Sequence, residues 1–134
     1  MKKTVLSVTA VIYMAGVFVF STRPGVDMSS INGIDKFTHF MAYLVMGWLL
    51  AAAIGSFNIF KKTLQLRHIS VTAFLAAFTY GDVIELYQSL LPERTAEILD
   101  ALANGAGALA GALIWARLAR LGREGIETEG KDAY

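Results

Sequence analysis

The sequence predicts an all-α integral membrane protein, a four-helix bundle with its N- and C-termini cytoplasmic. Three observations predict it. The 134-residue chain is 55% hydrophobic and only 17% charged, where an average soluble domain carries about 25% charged residues. Its charges gather between four long apolar segments, each close to or within the roughly 17–25 residues that take a helix across a bilayer. Its basic residues cluster on alternate connections, which a four-pass path brings to one side. A chain of this length forms one domain, read as a transmembrane unit over 1–120 followed by a flexible polar cytoplasmic tail at 121–134. With no cysteine, disulfides, thiolate metal sites and Cys nucleophiles are excluded. A net charge of +1 offers no footing for a nucleic-acid partner.

The first predicted helix covers about 4–20, behind Lys2 and Lys3. It rises about 25 Å, near the lower limit for a span. A signal peptide is the competing reading, but the segment exceeds a usual signal core and Val-Phe-Ser before Thr22 makes a poor cleavage site. The helix is therefore expected to be retained. The second, third and fourth helices are expected at about 37–59, 69–91 and 98–119. Gly, Ser, Asp and Asn fill 21–34, which is loop chemistry. A short basic connection covers 61–68. Pro92 stops the third helix, because proline cannot extend a helix and restricts the residue before it.

Lys2, Lys3, Lys61, Lys62, Arg67, Arg117, Arg120 and Arg123 all fall on one side of this path. Only Arg23, Lys36 and Arg94 fall on the other. Lys and Arg in short connections stay cytoplasmic, so the termini are expected inside, with Trp115 near the inner end of the last helix. Asp35, Lys36, His39 and Tyr43 then lie at the outer end of the second helix. Glu85 and Gln88 lie within about 9 Å of the outer end of the third at 1.5 Å per residue. Asp100 and Asn104 occupy the first two turns of the fourth. Three helices thus deliver polar residues to one membrane face.

Asp35, His39 and Tyr43 follow at i, i+4, i+8, a single slanted stripe. His39 can move protons or bind a metal, and a carboxylate one turn away can fix its tautomer. Asp35 also fits a helix N-cap. Asp82, Glu85 and Gln88 make one side of the third helix polar. A carboxylate inside a bilayer costs several kcal/mol unless paired, so it reads by default as functional. A structural ion pair between Glu85 and Arg94 is the alternative. The guanidinium of Arg94 suits a carboxylate or a phosphate. Asp100, Asn104, Gly107 and Gly111 fall within about 60° on a helical wheel. The glycine end of that stripe allows close helix packing, expected inside the bundle rather than between chains.

Taken in order, Asp35-Lys36-x-x-His39-Phe40-x-x-Tyr43, Glu85-x-x-Gln88-x-x-x-Pro92-x-Arg94 and Asp100-x-x-x-Asn104-x-x-Gly107 closely resemble the VanZ-like family of small bacterial membrane proteins, over about 34–115. The chain departs from the family pattern at Glu93, where Gly is usual, and at Ile84, where an acid often stands; Asp82 is not part of it. The family is named for an accessory protein of teicoplanin resistance. The resemblance therefore implies a role in the bacterial envelope with a link to glycopeptide-antibiotic tolerance, and supplies no reaction.

These residues lead to an expected protein of the bacterial cytoplasmic membrane with an outward-facing polar pocket for a lipid headgroup or a lipid-linked envelope precursor. In a catalytic version His39 and Glu85 are the acid–base pair, and Lys36 and Arg94 hold an anionic group. Asp35, Tyr43, Gln88, Asp100 and Asn104 complete the substrate contacts. In a non-catalytic version the pocket holds a lipid or an amphipathic antibiotic, or the polar residues only specify packing. A proton or ion path through Asp82 is a third reading, ranked last because nothing inward of Asp82 continues it. No cofactor is evident. Asp35, His39, Glu85 and Asp100 offer ligands for a divalent cation, but their distribution over separate helices specifies no metal.

Overall fold

The computed structural model describes residues 2–23, 33–57, 65–91 and 97–131. Four helices account for nearly all of them: α1 (Lys2–Thr22), α2 (Ile34–Gly55), α3 (Gln65–Gln88) and α4 (Ile98–Lys131). Each is long and apolar enough to cross a membrane. The expected spans are recovered with shifted ends. α2 starts at Ile34, and α3 absorbs part of the basic connection. The polar segment expected as a tail continues α4 as far as Lys131. Isolated glycines such as Gly122 and Gly125 lower helix propensity by only about 1 kcal/mol each and do not end it.

Helix α2 does not begin with a side-chain cap. Its N-cap is Gly33, held at φ 95°, and no side chain bonds the free N–H groups. Only glycine takes that left-handed conformation cheaply. Asp35, expected as a candidate cap, sits instead in the first turn and is available for side-chain contacts.

The closest packing is between α2 and α4, and glycine makes it so. A Cβ on Gly107 would strike the Phe40 carbonyl, and one on Gly111 would strike the Leu44 carbonyl. From the other side, a Cβ on Gly47 would strike the Ala108 carbonyl. The paired glycines thus pack within the bundle as expected, backbone against backbone. α3 lies across both helices, with Ala73 and Ala77 fully buried beside Ala108 and Ala112, and Ser70 donates to the Ala112 carbonyl at 3.2 Å.

Helix α1 touches α2 and α3 but not α4 among the described residues. Three side chains tie it down through backbone carbonyls: Tyr13 to Ala42 at 3.0 Å, Tyr80 to Met14 at 2.8 Å and Gln88 to Ser21 at 2.7 Å. Its other face is exposed at Val8, Val11 and Val19. Large apolar side chains are exposed on all four helices, the surface of a chain whose solvent is lipid. The up-down order brings the end of α1, the start of α2, the end of α3 and the start of α4 together.

Candidate functional site

At that end the ammonium of Lys36 sits among three carboxylates. Its Nζ lies 2.6 Å from Glu97, 2.6 Å from Asp100 and 3.1 Å from Asp35. The cluster staples α2 to the first turn of α4. Lys36 was expected to hold an anionic ligand group; its three partners leave it more than neutralised. Glu97 was not singled out in the sequence. Its signal was its position three residues before Asp100, which puts both acids on one side of the start of α4.

One turn further in, His39 joins α2 to α4. Its Nδ1 lies 3.0 Å from Oδ1 of Asn104, a residue only 1% exposed. An amide oxygen can only accept, so in this contact Nδ1 is the donor. The ring's Nε2 lies 3.6 Å from Oδ1 of Asp35, as the i, i+4 spacing implied. Glu85 approaches from α3: its Oε1 is 4.0 Å from His39 Nδ1, buried and without a hydrogen-bond partner among the described residues. An acid, an imidazole and a second acid therefore lie in sequence, within proton-transfer reach once a bridging group or small movement closes the gaps.

Tyr43 packs its ring against Gly81, where a Cβ would come within 2.9 Å of it and 3.2 Å of the Asn104 amide. It is 2% exposed, so it serves as a wall of the site as much as a ligand contact. Gln88 is spent at least in part on Ser21 of α1. Asp82 is exposed on the outside of α3, with no hydrogen bond or ion pair among the described residues, and it does not join this group. Arg94, with Pro92 and Glu93, lies outside the described residues, as do Lys61 and Lys62.

A cleft of about 540 Å³ opens beside the histidine, between α1 and α2. Ile12, Val17, Phe20 and Ala42 line its apolar length, and Asp35, His39 and Gln88 stand at its polar end. Nothing in the sequence pattern had assigned α1 a part in the site. The only hint was Tyr13, a polar-tipped residue in the middle of an apolar span.

The family model described as VanZ/LLP1 matches residues 4–120. The chain belongs to the VanZ/LLP1 family. Neither the curated proteins nor the solved structures provide a match. In this VanZ/LLP1 protein the matched stretch takes in α1 as well as the three helices that carry the motif residues. Of the motif side chains, Asp35, Lys36, His39, Glu85, Asp100 and Asn104 come together at one end of the bundle. Asp35, His39 and Asp100 can each place one ligand atom within 4.8 Å of the others. The Lys36 ammonium already lies against both of those carboxylates, so a cation there would compete with it.

Proposed function

We propose that this VanZ/LLP1 protein lies in the bacterial cytoplasmic membrane and uses its polar end, on the extracytoplasmic face, to bind or process the headgroup of a lipid or lipid-linked envelope precursor. The observation that carries the proposal is the junction of the His39–Asp35–Glu85 group with an apolar cleft, a pairing suited to an amphiphile. Pockets that orient ligands combine apolar walls with a few convergent polar groups in about 300–1,000 Å³. A link to glycopeptide-antibiotic tolerance accords with the family's namesake. The basic residues favour the orientation: Arg67, Arg117, Arg120 and Arg123 lie toward the end of the bundle opposite the site. Cysteine placed at Asn32 is expected to react with an impermeant thiol reagent in intact cells, while cysteine at Thr128 is not. The reverse pattern would place the site in the cytoplasm.

In the catalytic form of this reading, Glu85 and His39 exchange a proton with the headgroup. Glu85→Gln preserves shape and removes the titrating group. It is expected to hold or raise thermal stability, because a costly buried carboxylate becomes an amide. Conversion of the lipid, followed by mass spectrometry of extracts from expressing cells, is expected to fall by about 100-fold or more. Unchanged lipid composition in cells with and without the parent protein supports a second, non-catalytic reading. That reading has its own observation: Lys36, His39, Gln88, Asp100 and Asn104 each already bond between helices, as residues that specify packing do.

A further inference from the structure

The lipid reading leaves the chemistry of the headgroup open, and the polar end of the cleft narrows it. With Nδ1 of His39 donating to Asn104, the two atoms that meet beside the cleft are His39 Nε2 and Asp35 Oδ1, 3.6 Å apart. When the ring is neutral, both are acceptors. Two acceptors held side by side leave lone pairs for a shared donor, and a primary ammonium, with three N–H groups, can serve both. Glu85 adds a second buried carboxylate behind the ring, with an oxygen lacking a hydrogen-bond partner among the described residues.

The wider charge balance agrees. The stretches 23–36 and 85–100, which include both connections at this end, hold six acids against Arg23, Lys36 and Arg94. Lys36 is already surrounded by three of those acids. An anionic headgroup would enter a field of its own sign, whereas a cationic one would be drawn in. From Ile12 to Ser21 the wall supplied by α1 runs for about 14 Å at 1.5 Å per residue, long enough to hold much of an acyl chain.

Resting on the lipid reading, we infer that the cleft between α1 and α2 holds an acyl chain of a membrane phospholipid whose headgroup ends in a primary ammonium, and that this ammonium donates to His39 Nε2 and Asp35 Oδ1. Gly16 lines the cleft and offers a direct probe of it: a Cβ there meets nothing within 4 Å, so a side chain can start into that space.

The test uses the full chain exchanged into an equimolar mixture of phosphatidylethanolamine and phosphatidylglycerol with the same acyl chains, with retained lipid read by native mass spectrometry. The parent is expected to retain the amine lipid with a preference of about tenfold, the scale of one hydrogen bond to a charged group. Asp35→Asn is expected to bring the two lipids close to parity. Gly16→Leu is expected to lose both while its thermal unfolding stays at or above the parent value. Equal retention of the two lipids by the parent overturns the ammonium assignment and leaves lipid binding standing. A preference that survives both Asp35→Asn and Gly16→Leu puts the lipid on the outer surface and overturns the cleft. Retention of neither lipid overturns the lipid reading on which the inference rests.

Discussion

Gly111→Leu is expected to abolish the folded bundle. The atoms in the way are backbone, the Leu44 carbonyl and the Trp48 nitrogen, and neither can swing aside as a side-chain end can. Relief requires α2 and α4 to separate along their seam, the most extensive helix packing among the described residues. Ordinary overpacking costs about 1–3 kcal/mol, and losing this seam costs more. Gly111→Ala already places the offending Cβ and is expected to lower the midpoint of thermal unfolding in detergent. Gly122→Ala is the matched control. Its added carbon meets nothing within 4 Å, so helix propensity alone acts, raising stability by up to about 1 kcal/mol. A Gly111→Leu protein that unfolds at the parent temperature would show that α2 and α4 do not meet as described.

Lys36→Met is expected to produce the largest loss among the polar residues. It leaves Asp35, Glu97 and Asp100 facing one another without the ammonium that lies within 3.1 Å of all three. Removing one partner of a buried ion pair costs about 3–5 kcal/mol. The Lys36 side chain retains 30% exposure, which screens part of that and brings the expected loss to about 2–4 kcal/mol. The double variant Lys36→Met with Asp100→Asn is expected to recover much of it. Raising the salt concentration should stabilise Lys36→Met more than the parent, because it screens repulsion among acids of which Asp35 and Glu97 remain partly exposed. A Lys36→Met protein as stable as the parent would mean that solvent, not the lysine, neutralises the cluster.

Much of this architecture was legible in the sequence because the bilayer enforces simple rules. Apolar length set the helices, and the i, i+4 spacing of Asp35 and His39 set their contact. The single stripe of Asn104, Gly107 and Gly111 anticipated which face of α4 meets α2. Long-range pairing was another matter. Lys36 and Glu97 are 61 residues apart, and no local pattern says that a lysine at one helix start will lie against the acids at another. The ends of α2 and α4 were missed for local reasons. A left-handed glycine stands where an Asp cap was expected, and α4 runs through a glycine-containing segment whose isolated glycines do not stop it. The part of α1 in the cleft escaped notice because its side chains there are mostly the ordinary apolar ones of any membrane span.

The ties that seat α1 have an asymmetry with consequences for how the chain can vary. Each uses a specific side chain as donor, Tyr13, Tyr80 or Gln88, and a main-chain oxygen as acceptor, at Ala42, Met14 or Ser21. Every amino acid supplies the same oxygen. The three hydrogen bonds themselves are therefore indifferent to side-chain identity at positions 14, 21 and 42, whereas a change at any of the three donors removes one of them. In a saturation library scored for retained fold, substitutions tolerated at Met14 and Ser21 should far outnumber those tolerated at Tyr80, although all of them take part in the same two bonds and the same docking.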